Sequence, residues 1–422
     1  MRILLLNQFY PPDGAPTGQV AHDLARCLVA RGHEVSALAS SGGYCGQGGY
    51  PRRQVLDGVV VERVRTSSFG PKSHLRKLLS YASFYLVTAF RLALLSPRPE
   101  VVVALTTPPY IGLLARLVGW CRGWRRVHWV MDLYPDVMVA HGMVGRGVAG
   151  RLALAVLRWL TRRELAGAQA VLTLGPDMAA RCGQYVASPG SVAWVPLWAA
   201  DGLFTGAEEA VRERRRERGW DGRRVLLYSG NMGLGHRFGE FLAAAAARIA
   251  ERGARSAGQG EACDAAPVVF AFAGGGRRRA DVEAFLREHP GAPVELLPYC
   301  PAGDLAVHLR SGDVLLASLE PAWAGCMLPS KVQGILAAGR PVIFVGPPEC
   351  SLAQWVRQAD AGWVVPAGDE AALRAAIRAA ADPDERRRRG VSAQAFARRH
   401  FDREHNCALI AEVLEGGDRR RG

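Results

Sequence analysis

Lysine occurs only three times among the 53 Lys+Arg residues, and one copy lies in Leu328-Pro329-Ser330-Lys331-Val332, ahead of Ala338-Gly339-Arg340-Pro341-Val342. Pro329-Ser330 predicts a helix start, with the Ser330 hydroxyl capping free backbone N–H groups. Gly339 predicts its end, and Pro341 to Val345 a buried strand. A helix N-terminus beside a compact ammonium suits an anion, and a diphosphate is the expectation. The competing reading is a lysine solvated on an ordinary helix.

A second group is Met131-Asp132-Leu133-Tyr134-Pro135-Asp136, with His128 and Trp129 just before it. Its two carboxylates could hold sugar hydroxyls or a proton, or could cap a helix. A third group is made of glycine-rich loops. Gly14-Ala15-Pro16-Thr17-Gly18 follows the first apolar run. Ser229-Gly230-Asn231-Met232-Gly233-Leu234-Gly235-His236-Arg237 and Ala273-Gly274-Gly275-Gly276 follow two others. Glycines between a strand and a helix let backbone N–H groups approach an anion, with His236 and Arg237 adding charge or a hydrogen bond. The dinucleotide fingerprint and its ribose-binding acid are missing, which disfavours a nicotinamide cofactor. The absence of Gly-Lys-Ser/Thr excludes a P-loop.

Strands alternating with helices are needed to position these groups. Ile3–Leu6, His33–Leu38, Val59–Val64, Val101–Leu105, Val127–Val130 and Val171–Leu174 read as strands of one half. Val225–Tyr228, Val268–Phe272, Val294–Leu297, Val314–Ala317 and Val342–Val345 read as strands of a second. Alternation of this kind predicts two parallel sheets covered on both faces, with ligands at the carboxyl ends of their strands. The boundaries expected are 1–195 for one domain, 196–395 for the next, and 396–422 for a terminal helix and frayed basic tail. The stretch 194–224 reads as the linker, and 253–267 as a surface loop.

With 422 residues, 49% hydrophobic and 22% charged, the chain can form two ordinary cores. A formal charge of +14 favours anionic partners. The arginine runs 214–216, 277–279, 386–389 and 419–421 read as solvated faces. They accompany no nucleic-acid module, so no nucleic-acid partner is expected. Nine cysteines without C-x-x-C or zinc spacing suit a reducing cytoplasm. The run Met1–Leu6 is too short for a signal peptide. His74 to Leu95 is apolar, flanked by Lys72, Arg76 and Lys77 and broken by Arg91. It reads as non-spanning, either a core helix or one lying in a membrane interface.

Taken together, Phe9-Tyr10-Pro11-Pro12…Gly14-Ala15-Pro16, Asp132-Leu133-Tyr134-Pro135-Asp136, Tyr228-Ser229-Gly230-Asn231 and Pro329-Ser330-Lys331…Ala338-Gly339-Arg340-Pro341-Val342 resemble the family 4 glycosyltransferases of bacterial surface-polysaccharide synthesis. The resemblance implies the GT-B fold, α/β with two Rossmann-like doubly wound parallel-sheet domains facing a cleft. It also implies retaining, metal-independent hexosyl or N-acetylhexosaminyl transfer from a nucleotide-diphosphate sugar, with no cofactor. The expected acceptor is a saccharide on polyprenyl diphosphate, at an anionic membrane surface on the inner cytoplasmic face. Lys331, Asp132 and His236 would be catalytic. Gly14, Ala15, Pro16, Asp136, Gly230, Asn231, Gly233, Arg237, Gly275, Glu320 and Ser330 would bind substrate.

The chain departs from the family at several positions. The family's two glutamates, separated by seven residues, fall at Cys326 and Gly334, with Glu320 a nearby substitute. Its basic loop residues fall at Asn231 and His236, and its histidine before the aspartate at Met131. A nucleotide-sugar epimerase of the same architecture and a non-catalytic nucleotide-sugar-binding subunit are the alternatives.

Overall fold

The computed structural model describes residues 1–42, 49–65, 74–145, 147–206, 208–256, 266–329 and 331–416. The first sheet contains β1 (Arg2–Leu6), β2 (Glu34–Ser40), β3 (Arg53–Leu56), β4 (Val59–Val64), β5 (Val101–Ala104), β6 (Arg125–Trp129), β7 (Ala170–Thr173) and β8 (Val192–Trp194). Their order is β3-β4-β2-β1-β5-β6-β7-β8, and only the edge strand β3 runs antiparallel to its neighbour. The second sheet contains β9 (Arg224–Ser229), β10 (Val268–Ala273), β11 (Val294–Leu297), β12 (Val314–Ser318), β13 (Val342–Gly346) and β14 (Gly362–Pro366). Its order is β11-β10-β9-β12-β13-β14, parallel throughout.

Continuous apolar runs rather than alternating ones explain this architecture. Val101-Val102-Val103-Ala104 and Val268 to Ala273 are buried at every position, as strands with helices on both faces must be. Leu4, Leu6, Val102, Phe84 and Ile111 anchor the core of the first sheet. Phe270, Phe272, Phe238, Phe241 and Ile343 anchor that of the second. The chain divides into two compact units: Met1–Leu197 with Gly325–Leu328 and Arg403–Gly422, and Trp198–Ala324 with Pro329–Asp402.

Three expectations need correction. The supposed linker 194–224 carries a helix, Glu208–Glu217. One face of that helix is a structural brace: Arg215 donates to the Ser311 carbonyl at 2.7 Å and to Asp313 at 3.1 Å. The helical end of the chain is two helices, Pro383–His400 and Arg403–Glu415, the second belonging to the first unit. There Arg31 and His33 each hold Glu415 at 2.8 Å. The expected loop 253–267 begins inside helix Gly239–Ser256. Its stretch 257–265, Ser330 and the tail from 417 lie outside the described residues.

The apolar stretch from His74 forms helix His74–Leu94, with Phe84 and Leu92 buried and Leu86, Phe90 and Leu94 exposed. Among the described residues no helix is long and apolar enough to cross a membrane.

Candidate functional site

In the second unit the strand order reverses between β9 and β12, and the loops leaving those two strands meet there. This is where a doubly wound sheet opens a crevice at the carboxyl ends of its strands. His236, in the loop after β9, places Nδ1 2.8 Å from the Ser318 carbonyl at the end of β12. A carbonyl only accepts, so Nδ1 carries the proton and Nε2 is left with its lone pair. Arg237 donates its backbone N–H to the Ser318 hydroxyl at 2.9 Å and its guanidinium to Glu320 at 2.7 Å.

Lys331 opens helix Lys331–Ala337 and points into this loop rather than into solvent. Its ammonium donates to the Tyr228 hydroxyl, to the Asn231 carbonyl at 2.8 Å and to His236 Nε2 at 3.3 Å. It lies 4.0 Å from the centre of the Tyr228 ring, within range of a cation–π attraction. Burial pushes the Lys331 ammonium down to about 7. Burial and the adjoining Lys331 charge push His236 down to about 3, so it is neutral at physiological pH. The reading of His236 as an added charge is thus replaced by that of a neutral acceptor for Lys331.

The glycines of the two loops have separate reasons. Gly230 has φ +124°, and a Cβ there would meet Lys331 Cε at 2.8 Å. Gly274 has φ +130° and abuts the Gly230 carbonyl. Gly275 faces the Tyr299 ring, where a Cβ would come within 2.9 Å, and its carbonyl receives the Met232 N–H at 2.6 Å. Gly233 has only the Asn231 amide near it. The loops interlock into one platform. The backbone amides of Gly233, Leu234 and Gly235 donate to no described residue.

Lys331, Gly230, Asn231, Gly233, His236, Arg237, Gly275 and Glu320 are therefore brought together in this unit. Sequence reasoning missed Tyr228, Ser318, Tyr299 and Arg278. Arg278 belongs to a run whose composition reads as solvated, but it holds Glu320 at 2.8 Å. Its position directly after Gly274–Gly276 was the available signal.

In the first unit Gly14, Ala15, Pro16 and Asp132 gather at the carboxyl ends of β1, β5 and β6. The order reverses here too, between β1 and β5. Gly14 stands in open space, Ala15 donates its N–H to Asp13 at 2.9 Å, and Pro16 is the first residue of helix Pro16–Ala30. Gln8 bonds the Thr107 carbonyl at 2.8 Å, and Thr106 accepts the N–H groups of Met131 and Asp132 at 3.2 and 3.1 Å. Burial pushes the Asp132 carboxyl up to about 6, and no described residue donates a hydrogen bond to it. Asp136 starts helix Asp136–Ala140 without capping it. Its carboxylate accepts from Arg181 at 2.7 Å and from the Tyr185 hydroxyl at 2.6 Å. His128 is buried 3.9 Å from Glu164; burial holds the histidine neutral and lifts the Glu164 carboxyl to about 8.

The two positions where the family carries glutamates have definite surroundings. Cys326 is buried in the first unit, its carbonyl accepting the Leu133 N–H at 2.7 Å. Gly334 abuts Leu203 and Leu309, the nearer contact of an added Cβ being 3.3 Å. A glutamate there would drive a charge among leucines. Among the described residues no group of three His, Cys, Asp or Glu side chains could hold a metal ion.

Residues 17–198 match a glycosyl transferase 4-like domain, and residues 223–382 match the glycosyl transferases group 1. The chain belongs to the family 4 glycosyltransferases and has their GT-B fold. Among similar proteins is WcaI of Escherichia coli K12, assigned as a colanic acid biosynthesis glycosyl transferase. It is 24% identical over 80% of this chain and 82% of its own. WbjE of Pseudomonas aeruginosa, assigned as a glycosyltransferase, is 26% identical over 72% of each. Similar solved structures include sucrose-phosphate synthase from Thermosynechococcus elongatus, with TM-score 0.73 and 17% identity over 99% of this chain and 98% of that one. HepE of Anabaena, solved with UDP-glucose, gives 0.69 and 14% over 99% and 100%.

Proposed function

We propose that this glycosyltransferase moves a sugar, with retention, from a nucleotide-diphosphate sugar to a saccharide carried on polyprenyl diphosphate, in the synthesis of a surface polysaccharide. The observation that carries the donor half is the Lys331 ammonium fixed over the glycine platform at the β9/β12 switch point. Three neighbouring amides, Gly233 to Gly235, which donate to no described residue, add donors for a diphosphate. As the sugar–oxygen bond breaks, negative charge grows on the departing diphosphate, and a fixed cation and amides stabilise it without reorganisation. An incoming phosphate oxygen takes the Lys331 donor now directed at His236 Nε2, the longest of the three contacts. Tyr228 and Asn231 keep the ammonium in place.

Asp132 is the acceptor-side candidate, a carboxylate at a strand end that burial raises to about 6. The UDP-glucose bound by the similar HepE and the colanic acid assignment of WcaI support the substrate classes. Exposed Leu86, Phe90 and Leu94 support a membrane-surface acceptor.

The test is incubation with a panel of sugar nucleotides, with and without prenyl-diphosphate-linked saccharides. Transfer by the wild type and its loss in Lys331→Ala is the expected result. Interconversion of donors without acceptor would establish the epimerase instead. Binding without turnover of any pair would leave a sugar-nucleotide-binding subunit.

A further inference from the structure

Within the first unit, helix Val148–Leu165 and the segment 180–185 border an open pocket of about 470 Å³ that the donor site does not use. Its walls are strongly polar: Arg158, Arg162, Arg181, Asp136, Gln184 and Tyr185. Arg181 pairs with one oxygen of Asp136, Tyr185 donates to the other at 2.6 Å, and the Tyr185 hydroxyl lies in hydrogen-bond reach of Arg158. Among the described residues Arg158 and Arg162 have no carboxylate partner. They lie one helical turn apart on one side of their helix, so both guanidinium groups reach the same space. The pocket therefore keeps two uncompensated positive charges on side chains whose planar forks match phosphate oxygens.

The same helix carries a second feature. Val148, Leu152, Val156 and Trp159 recur three or four residues apart and are 52% to 66% exposed. That spacing puts them in one stripe, bordered by Arg158 and Arg162. An apolar stripe left in water beside a cationic pocket has the chemistry of a surface for an amphiphile with a phosphate head. The buried face of this helix is separate, carrying Thr161, Glu164 and Leu165. The stripe is thus not the packing side of the helix.

We propose that the Arg158–Arg162–Arg181 pocket binds the diphosphate of a prenyl-diphosphate lipid, whose hydrocarbon chain lies along Val148, Leu152, Val156 and Trp159. The site deepens the proposed function by giving the acceptor's lipid carrier a place on the first unit, and it rests on that reading for the lipid's role. Asp136 and Tyr185 are positioning residues, orienting Arg181. Length discrimination follows: a diphosphate without a chain meets only the arginines, and a chain without a diphosphate meets only the stripe.

The experiment measures binding of farnesyl diphosphate, inorganic diphosphate, and phosphatidylcholine vesicles with and without phosphatidylglycerol. It uses the full chain, the double variant Arg158→Ala/Arg162→Ala, and the stripe variant Val156→Ser/Trp159→Ser. All substituted positions are exposed, and a thermal melt confirms folding of each variant. The expected result is about tenfold weaker farnesyl diphosphate binding in the arginine variant. The stripe variant should weaken farnesyl diphosphate and leave inorganic diphosphate unchanged.

Equal farnesyl diphosphate affinity in wild type and arginine variant overturns the proposal. So does equal wild-type affinity for inorganic and farnesyl diphosphate, which marks a site for free diphosphate. Arginine-dependent capture by phosphatidylglycerol vesicles with no preference for farnesyl diphosphate overturns it in favour of a bilayer headgroup site. UDP-glucose binding, measured in the same variants and in Lys331→Ala, separates the two readings. Lys331-dependent nucleotide binding with an inert arginine pocket sinks only the present inference. Arginine-dependent lipid binding without any nucleotide binding sinks the donor reading instead.

Discussion

The two strand-end sites differ in how their charges are held. Around Lys331 every donor of the ammonium already has an acceptor, and Gly230, Gly274 and Gly275 leave no room for other side chains. Around Asp132 no described residue donates a hydrogen bond to the carboxylate, and Gly14 faces open space. A platform that is complete before its ligand arrives suits a group common to many donors, since little must reorganise when charge develops. An open edge with an unanswered carboxylate suits a partner whose shape varies. The comparison teaches that rigidity sits where charge must be stabilised, and openness where recognition must differ.

Lys331→Ala is the most severe break of that contrast. Removing one preorganised donor to a developing anion lowers turnover on the order of 10²–10³, about 2.7–4 kcal/mol of barrier. The measurement is kcat/KM for sugar-nucleotide consumption with saturating acceptor. A loss smaller than threefold would show that the platform acts without its cation. Gly230→Ala comes next. Its φ of +124° strains any residue with a Cβ, and that Cβ would displace Lys331 Cε. A stability loss of about 1–3 kcal/mol in urea titration should accompany weakened UDP-glucose binding.

The pH profile sharpens the contrast. Lys331 is charged below about 7 and loses its charge above, because burial holds it far under the ordinary lysine value. Affinity for UDP-glucose, whose diphosphate does not titrate near neutrality, should fall as pH rises through that point, about tenfold per unit well above it. Asp132, raised to about 6, is ionised only above that value, so kcat/KM should climb through pH 6 and decline above 7. Asp132→Asn should remove the acid limb and leave the alkaline one. It should also stabilise the fold at pH 7.5, because a carboxyl whose folded value is raised opposes folding once it ionises. An acid limb persisting in Asp132→Asn would assign it to another group.

Much of this was readable before the structure. Apolar runs such as Val101–Ala104 and Val268–Ala273 announce buried parallel strands, and Gly230 and Lys331 announce their loop by type and spacing. The partners of Lys331 were less legible. Tyr228 ends a strand as an ordinary apolar-looking residue, and only the β9/β12 adjacency brings Ser318 beside His236. Asp136 carried no sign that Arg181 and Tyr185 would hold it, since the pairing is remote in sequence and depends on how the segment 176–185 folds back. Arg278 was hidden by the surrounding arginines, whose composition made each look alike. Distant side-chain pairs are set by topology, and single-sequence patterns carry little of that.

The finest discrimination uses two tyrosines with matching local roles, one in each unit. Tyr228 donates to the Asn231 carbonyl at 2.8 Å, and Tyr185 donates to Asp136 at 2.6 Å. Phenylalanine at either position removes that donated hydrogen bond, a loss of about 1 kcal/mol in unfolding free energy. Their consequences diverge because the Tyr228 oxygen also accepts from Lys331, which favours the charged ammonium. Tyr228→Phe keeps the ring under the cation but removes that acceptor. The alkaline limb of UDP-glucose binding should therefore move to lower pH by about half a unit, ~0.7 kcal/mol of differential stabilisation. Tyr185→Phe should leave both the affinity and the limb in place. Equal shifts from the two substitutions would mean that the limb reports global stability rather than the Lys331 charge, and the distinction between a completed donor platform and an open acceptor edge would lose its energetic basis.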